Sequence, residues 1–171
     1  VADHLTPLYQ AWIGAARFCV LSTIGSAGTD GSPRGDLGPV VRIQDDKTLL
    51  LPDWPGNNRL DSLRNIVEDG RISLMFMVPG SDTVVRVNGQ ASLTTDPDLC
   101  ASFLDNKGGP VCVMVITVQE VYIQCAKSIK RAALWQTRNA PLVPSLGQIL
   151  NEATDLESGG ASSGGHSAHT S

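Results

Sequence analysis

The stretch that decides the fold runs Arg71-Ile72-Ser73-Leu74-Met75-Phe76-Met77-Val78, turns at Pro79-Gly80, and resumes as Thr83-Val84-Val85-Arg86-Val87-Asn88-Gly89-Gln90-Ala91-Ser92-Leu93. Both limbs are rich in β-branched and apolar residues, and the link between them is short, so they predict an antiparallel hairpin. Moving towards the N-terminus, Thr48-Leu49-Leu50-Leu51 reads as a strand stopped by Pro52, and Pro39-Val40-Val41-Arg42-Ile43 as an extended stretch. Phe18-Cys19-Val20-Leu21-Ser22-Thr23-Ile24 is a further buried strand, and the glycine-rich segment 25–31 after it is a turn. Towards the C-terminus, residues 111–118 and 121–125 supply the last two strands.

Helices separate these strands. Leu5, Leu8, Trp12 and Ile13 recur at helical spacing and predict an opening amphipathic helix. Residues 57–68 predict another, with Leu60, Leu63, Ile66 and Val67 on one face and Asn57 or Asn58 as N-cap. Thr95 or Asp96 with Pro97 opens a short helix, a further one covers 127–134, and Ser145 caps one over 146–150. Six or seven strands, mostly hairpin-linked, with short helices between them make a mainly β, α+β or barrel architecture, and the absence of regular βαβ alternation excludes a Rossmann arrangement. The expected organisation is an N-terminal helix over 1–16, a barrel domain with a C-terminal helix over 17–157, and a flexible Gly/Ser-rich tail over 158–171.

Composition narrows the chemistry. The 171 residues are 42% hydrophobic and 18% charged, with a formal net charge of −4. Such a balance offers nothing to phosphate backbones or anionic lipid, so neither nucleic acid nor a membrane is an expected partner. No apolar run approaches spanning length and no basic-then-apolar leader opens the sequence, which gives a cytoplasmic expectation. The four cysteines, Cys19, Cys100, Cys112 and Cys125, form no Cys-x-x-Cys pair and read as reduced thiols, not metal ligands. All three histidines, His4, His166 and His169, fall in the terminal segments. A body without histidine has no Ser-His-Asp or Cys-His machinery and no histidine zinc ligands, so the chemistry is expected of a bound cofactor.

Three stretches carry candidate site residues. Leu51-Pro52-Asp53-Trp54-Pro55-Gly56-Asn57-Asn58-Arg59-Leu60 ends a strand and enters a helix, whose first turn and flanking Arg59 make either an anion site or a capped surface helix. In Gly31-Ser32-Pro33-Arg34-Gly35-Asp36 the glycines permit close approach of a flat ligand, with Arg34 towards a carbonyl or ring nitrogen; the alternative is a hydrophilic hairpin tip. Lys127 and Arg131 lie one helical turn apart and Trp135 one turn further on, forming either an aromatic-and-basic wall or an ordinary basic helix with Trp135 in the core.

Taken together, Ser32-Pro33-Arg34-Gly35-Asp36, Val41-Arg42, Leu51-Pro52-Asp53, the run Gly56 to Asn65, Arg86-Val87-Asn88-Gly89 and Cys125-Ala126-Lys127 through Arg131 to Trp135 resemble the flavin-binding split-barrel superfamily of the pyridoxamine-phosphate oxidases. The similarity covers roughly residues 18–135 and is strongest to a subgroup of uncharacterised FMN-dependent enzymes. It implies a six-stranded antiparallel split barrel that dimerises, with one FMN in each of two clefts between subunits. The Val41-Arg42 strand and the Pro52-Asp53 turn would line the flavin ring, Asn57, Asn58 and Arg59 would hold the phosphate, and Arg131 and Trp135 would close the cleft from the other subunit. The implied function is an oxidoreductase acting on a small molecule, with Arg34 or Arg131 supplying positive charge to the flavin. A non-catalytic flavin-binding or flavin-sensing module is the alternative; an empty structural barrel, or one holding a deazaflavin or haem, is a third. The compact Ser-Arg/Lys-Lys phosphate motif and the Arg-x-His substrate motif of pyridoxamine-phosphate oxidase itself are missing, so the resemblance does not extend to a vitamin B6 substrate.

Overall fold

The hairpin forms as the sequence predicts. In the computed structural model, which describes residues 1–56, 60–105, 108–125, 127–136 and 143–160, β5 (Arg71–Met77) pairs antiparallel with β6 (Thr83–Thr94) in the register Leu74↔Val87. Around it lie β1 (Phe18–Gly25), β2 (Gly28–Gly35), β3 (Arg42–Ile43), β4 (Thr48–Asp53) and β7 (Cys112–Cys125). All are antiparallel, in the order β2-β1-β5-β6-β7-β4-β3. Leu21, Leu74, Phe76, Val85, Val87 and Met114 fill the interior at 2% exposure or less. The sheet has seven strands, within the six or seven read from the sequence and one more than the resemblance implied.

The differences from expectation have identifiable causes. Residues 28–31, expected as turn, begin β2, an edge strand in which only Arg34 is buried, so it carries no apolar alternation to read. Pro33 is tolerated there because an edge strand has a free flank. Pro52 lies within β4 rather than ending it, at a point past the β3 pairing, which stops at Arg42↔Leu50. The two expected final strands are one, β7, whose pairing with β6 shifts register between Asn88 and Gly89. A Cβ on Gly89 would stand 2.1 Å from the Thr117 carbonyl oxygen, so only glycine lets the two backbones approach this closely.

Among the helices, α1 (Pro7–Gly14) buries Ile13, while Leu5 is buried ahead of the helix and Leu8 is exposed. The helix expected over 57–68 is α2 (Asp61–Glu68), with Leu60 at the N-cap position and no side-chain cap. Asn57, Asn58 and Arg59 lie outside the described residues. Leu60 and Val67 are exposed, and the buried face is Ser62, Asn65 and Ile66. Its polar members are satisfied: the Ser62 hydroxyl donates to Asp30, and Asn65 donates to the Thr23 hydroxyl at 3.1 Å. Asp96 caps α3 (Pro97–Ala101) by accepting from the Leu99 amide at 2.7 Å, and α4 (Lys127–Ala132) follows β7. The chain divides into two compact units, residues 1–135 and 136–171. The second contains α5 (Leu146–Gly160), opened by a reciprocal cap between Ser145 and Gln148. The expected tail lies outside the described residues from position 161. No helix among the described residues is long and apolar enough to cross a membrane.

Candidate functional site

The site begins where the two ends of the sheet meet. β2 forms one edge, and β4 lies one strand in from the other, so no strand ladder joins them. Arg34 on β2 sits opposite Cys19 of β1, and both side chains turn to the interior side of the sheet. There the Arg34 Nη1 donates to the Asp53 carboxylate at the end of β4, a buried ion pair with side-chain exposures of 9% and 6%. The pair spans the barrel seam. The Asp36 amide bonded to the Arg17 carbonyl at 3.0 Å, and the Val40 amide bonded to the Ala16 carbonyl at 2.9 Å, bring the following loop back across the end of β1.

Arg34 is not satisfied by Asp53 alone. Its Nε and Nη2 are both buried and have no hydrogen-bond partner among the described residues. A guanidinium has five donors, and a buried charged group with idle donors carries a desolvation penalty that an acceptor would relieve. Arg34 lines a lobe of about 290 Å³ together with Gly35, Asp36, Pro52 and Trp54. A second lobe, of about 460 Å³, shares Asp36 and Trp54 and adds Leu37 and Asp105. A third, of about 240 Å³, shares Asp36 and Pro52 and adds Val41, Arg42 and Phe103. The lobes radiate from Asp36, with Pro52, Trp54, Pro55 and Val41 supplying apolar wall.

The thiols beside the seam are kept neutral. Burial pushes Cys19 up to about 12, with the Arg34 charge acting weakly in the opposite sense. Cys112, opposite Asp53 in the ladder, is raised first by burial and then by the neighbouring Asp53 and Cys100. Neither is a thiolate nucleophile at neutral pH. The described cysteines are all free, and no group of His, Cys, Asp and Glu suited to a metal ion occurs among the described residues.

Of the residues singled out from sequence, Arg34, Gly35, Asp36, Val41, Arg42, Pro52 and Asp53 come together here. Lys127, Arg131 and Trp135 line none of the three lobes. Trp135 donates from Nε1 to the Ser81 carbonyl at 2.8 Å and packs with Val84, Ile129, Met75 and Met77 at the β5–β6 turn, where Lys130 stands 3.7 Å from Asp82. Sequence reasoning missed Trp54 and Phe103 as walls of the cleft. An aromatic between two prolines just after a strand was a usable signal for Trp54; nothing local marks Phe103, which reaches the cleft only through the fold.

Residues 5–125 match the sequence model of pyridoxamine 5'-phosphate oxidase. The chain belongs to the pyridoxamine 5'-phosphate oxidase family. Solved structures with the same fold include HupZ of Group A Streptococcus, 19% identical with a TM-score of 0.58 over 71% of this chain and 94% of that one. General Stress Protein 26 of Bacillus anthracis is 17% identical with a TM-score of 0.51 over 67% and 88%. An FMN-binding protein of Syntrophomonas wolfei is 16% identical with a TM-score of 0.51 over 67% and 86%. At these identities the likeness to individual structures is one of fold. No curated protein matches the sequence. Within the family fold, the three-lobed cleft at the barrel seam is where this chain gathers its buried arginine and its apolar walls.

Proposed function

We propose that this protein binds flavin mononucleotide in the seam cleft and acts as an oxidoreductase on a small molecule, working as a homodimer with each cleft between two subunits. The observation that carries the reading is Arg34, a buried cation with two donor nitrogens that lack acceptors among the described residues. A flavin ring offers carbonyl and ring-nitrogen acceptors to such a pair, and when bound it supplies hydride and electron transfer. Asp53 holds the guanidinium in place, so its free donors are oriented before any ligand arrives. Positive charge held there favours the electron-rich, reduced side of a redox couple. Val41, Pro52 and Trp54 give the ring an apolar bed, and Gly35 and Asp36 shape the approach. Asn57, Asn58 and Arg59, directly ahead of α2, are assigned to the phosphate on the family resemblance. Arg131 and Trp135, which line none of the lobes of their own chain, are assigned to closing the partner's cleft, with Lys127 on the same helical face as Arg131 a further cofactor-binding candidate.

The absorption spectrum of protein purified without added cofactor tests the reading. Flavin bands, with FMN released on denaturation, are expected. A colourless protein whose addition leaves micromolar FMN fluorescence unquenched would overturn it. Steady-state NADPH or NADH oxidation by the flavin-loaded protein then separates an enzyme from a module that only binds flavin.

A further inference from the structure

We propose that Arg42 is a positioning residue that holds the Phe103 turn in place as a wall of the cleft, and that it does not itself touch the ligand. The role in ligand binding rests on the flavin reading above. Arg42 opens β3, yet its guanidinium is engaged by a segment sixty residues further along the chain. Nη1 donates to the Ser102 hydroxyl at 2.7 Å and Nη2 to the Ser102 carbonyl at 2.7 Å. Its central carbon lies 3.6 Å from the centroid of the Phe103 ring, a close cation–π stack. The Ser102 hydroxyl passes the link on, donating to the Leu99 carbonyl of α3 at 2.6 Å. Two terminal nitrogens and one face of the guanidinium are therefore already committed.

The segment has reason to need such a tether. α3 has five residues and buries none of them, so neither helix length nor apolar burial holds it. The fork-and-stack from Arg42 supplies the missing restraint, and Phe103 then closes the third lobe beside Asp36, Val41 and Pro52. Lysine keeps the charge but cannot make the planar fork or the stack, so Arg42→Lys separates geometry from electrostatics.

Hydrogen exchange and flavin titration together test this. In flavin-free protein, Arg42→Lys should raise exchange at the Ser102, Phe103 and Leu104 amides about tenfold, since a charge-assisted fork is lost. In titrations, FMN and riboflavin should weaken by the same factor, on the order of fivefold, because both present the same ring to the wall. Phe103→Leu should reproduce the weakening, and the double variant should add little to either single one. Unchanged exchange at those amides would overturn the proposal. A loss confined to FMN would make Arg42 a phosphate ligand instead, and full retention of both affinities would remove the wall from binding. Should the wild type bind neither flavin, the flavin reading fails, and the exchange comparison alone decides whether Arg42 holds the turn.

Discussion

Arg34 is the one buried side chain of an otherwise exposed strand, and its chemistry divides into a paired and an unpaired half. Replacing it with methionine removes both and leaves Asp53 as an uncompensated buried charge. Urea denaturation should show a loss of about 3–5 kcal/mol for Arg34→Met, most of it recovered when Asp53→Leu is added. The recovered double variant should still fail to bind flavin, since the free donors are gone. Wild-type affinity in that variant would show that those donors are not ligands. Cys19 gives a second prediction, on pH. Its thiol titrates at about 12 in the folded chain against 9.0 for the ordinary group, so its contribution is whole below pH 9 and disappears as pH rises towards 12. A difference of up to about 4 kcal/mol should open between wild type and Cys19→Ala over that window, with the wild type losing more. Parallel stability curves for the two proteins would refute it.

Among the elements, the β6–β7 ladder turns on Gly89. Alanine there places a methyl group against the Thr117 backbone, which has no side-chain freedom to give way. Gly89→Ala should lower stability by roughly 2 kcal/mol or more, read as a fall in Tm. Gly14→Ala at the end of α1, where an added Cβ meets nothing within 4 Å, should leave Tm level or raise it slightly. A Tm for Gly89→Ala matching that control would mean the strands slide apart freely at the register shift. The same elements show what a sequence can reveal. β1, β5 and β6 were legible because each has a buried face and so alternates or runs apolar. β2 was not, because the residues on its inward side, Asp30, Ser32 and Arg34, are polar and give no apolar alternation. α2 was legible as a helix but not in its facing, since Ser62 and Asn65 are buried through hydrogen bonds to Asp30 and Thr23 rather than through apolarity. Arg34 and Asp53 were each picked out as candidates, but their pairing exists only once the barrel closes, and no local pattern encodes that.

For the molecule as a whole, the prediction concerns a second copy. Ile123 on β7 and Val111 just ahead of it are large apolar side chains standing exposed. The half-buried cluster of Met75, Met77 and Trp135 adds apolar surface at the β5–β6 turn. Exposed apolar side chains standing singly are normal on a monomer, so the expectation of a second copy rests on the family resemblance. Light scattering at micromolar protein should give twice the chain mass, and Ile123→Asp should shift it towards the single chain. A wild type that scatters as a single chain with flavin bound would rule out a cleft completed by two subunits.

The ion pair across the seam also has a kinetic meaning. Among the described residues no backbone hydrogen bond ties β2 to β3 or β4, so the seam is held by the Arg34–Asp53 pair, by core packing of Val40, Val41 and Leu51 with Cys19 and Leu21, and by the loop pinned to the end of β1. The idle nitrogens of Arg34 are shielded from solvent, so if the proposed flavin pairs with them, its capture is expected to wait on a local opening of the lobe that Arg34 lines. Uptake then has two steps, a first-order opening followed by capture. In a stopped-flow experiment the observed rate should climb with flavin concentration and then level off at the frequency of opening. A rate that stays linear to high concentration would mean that the guanidinium is reached without any opening of the lobe.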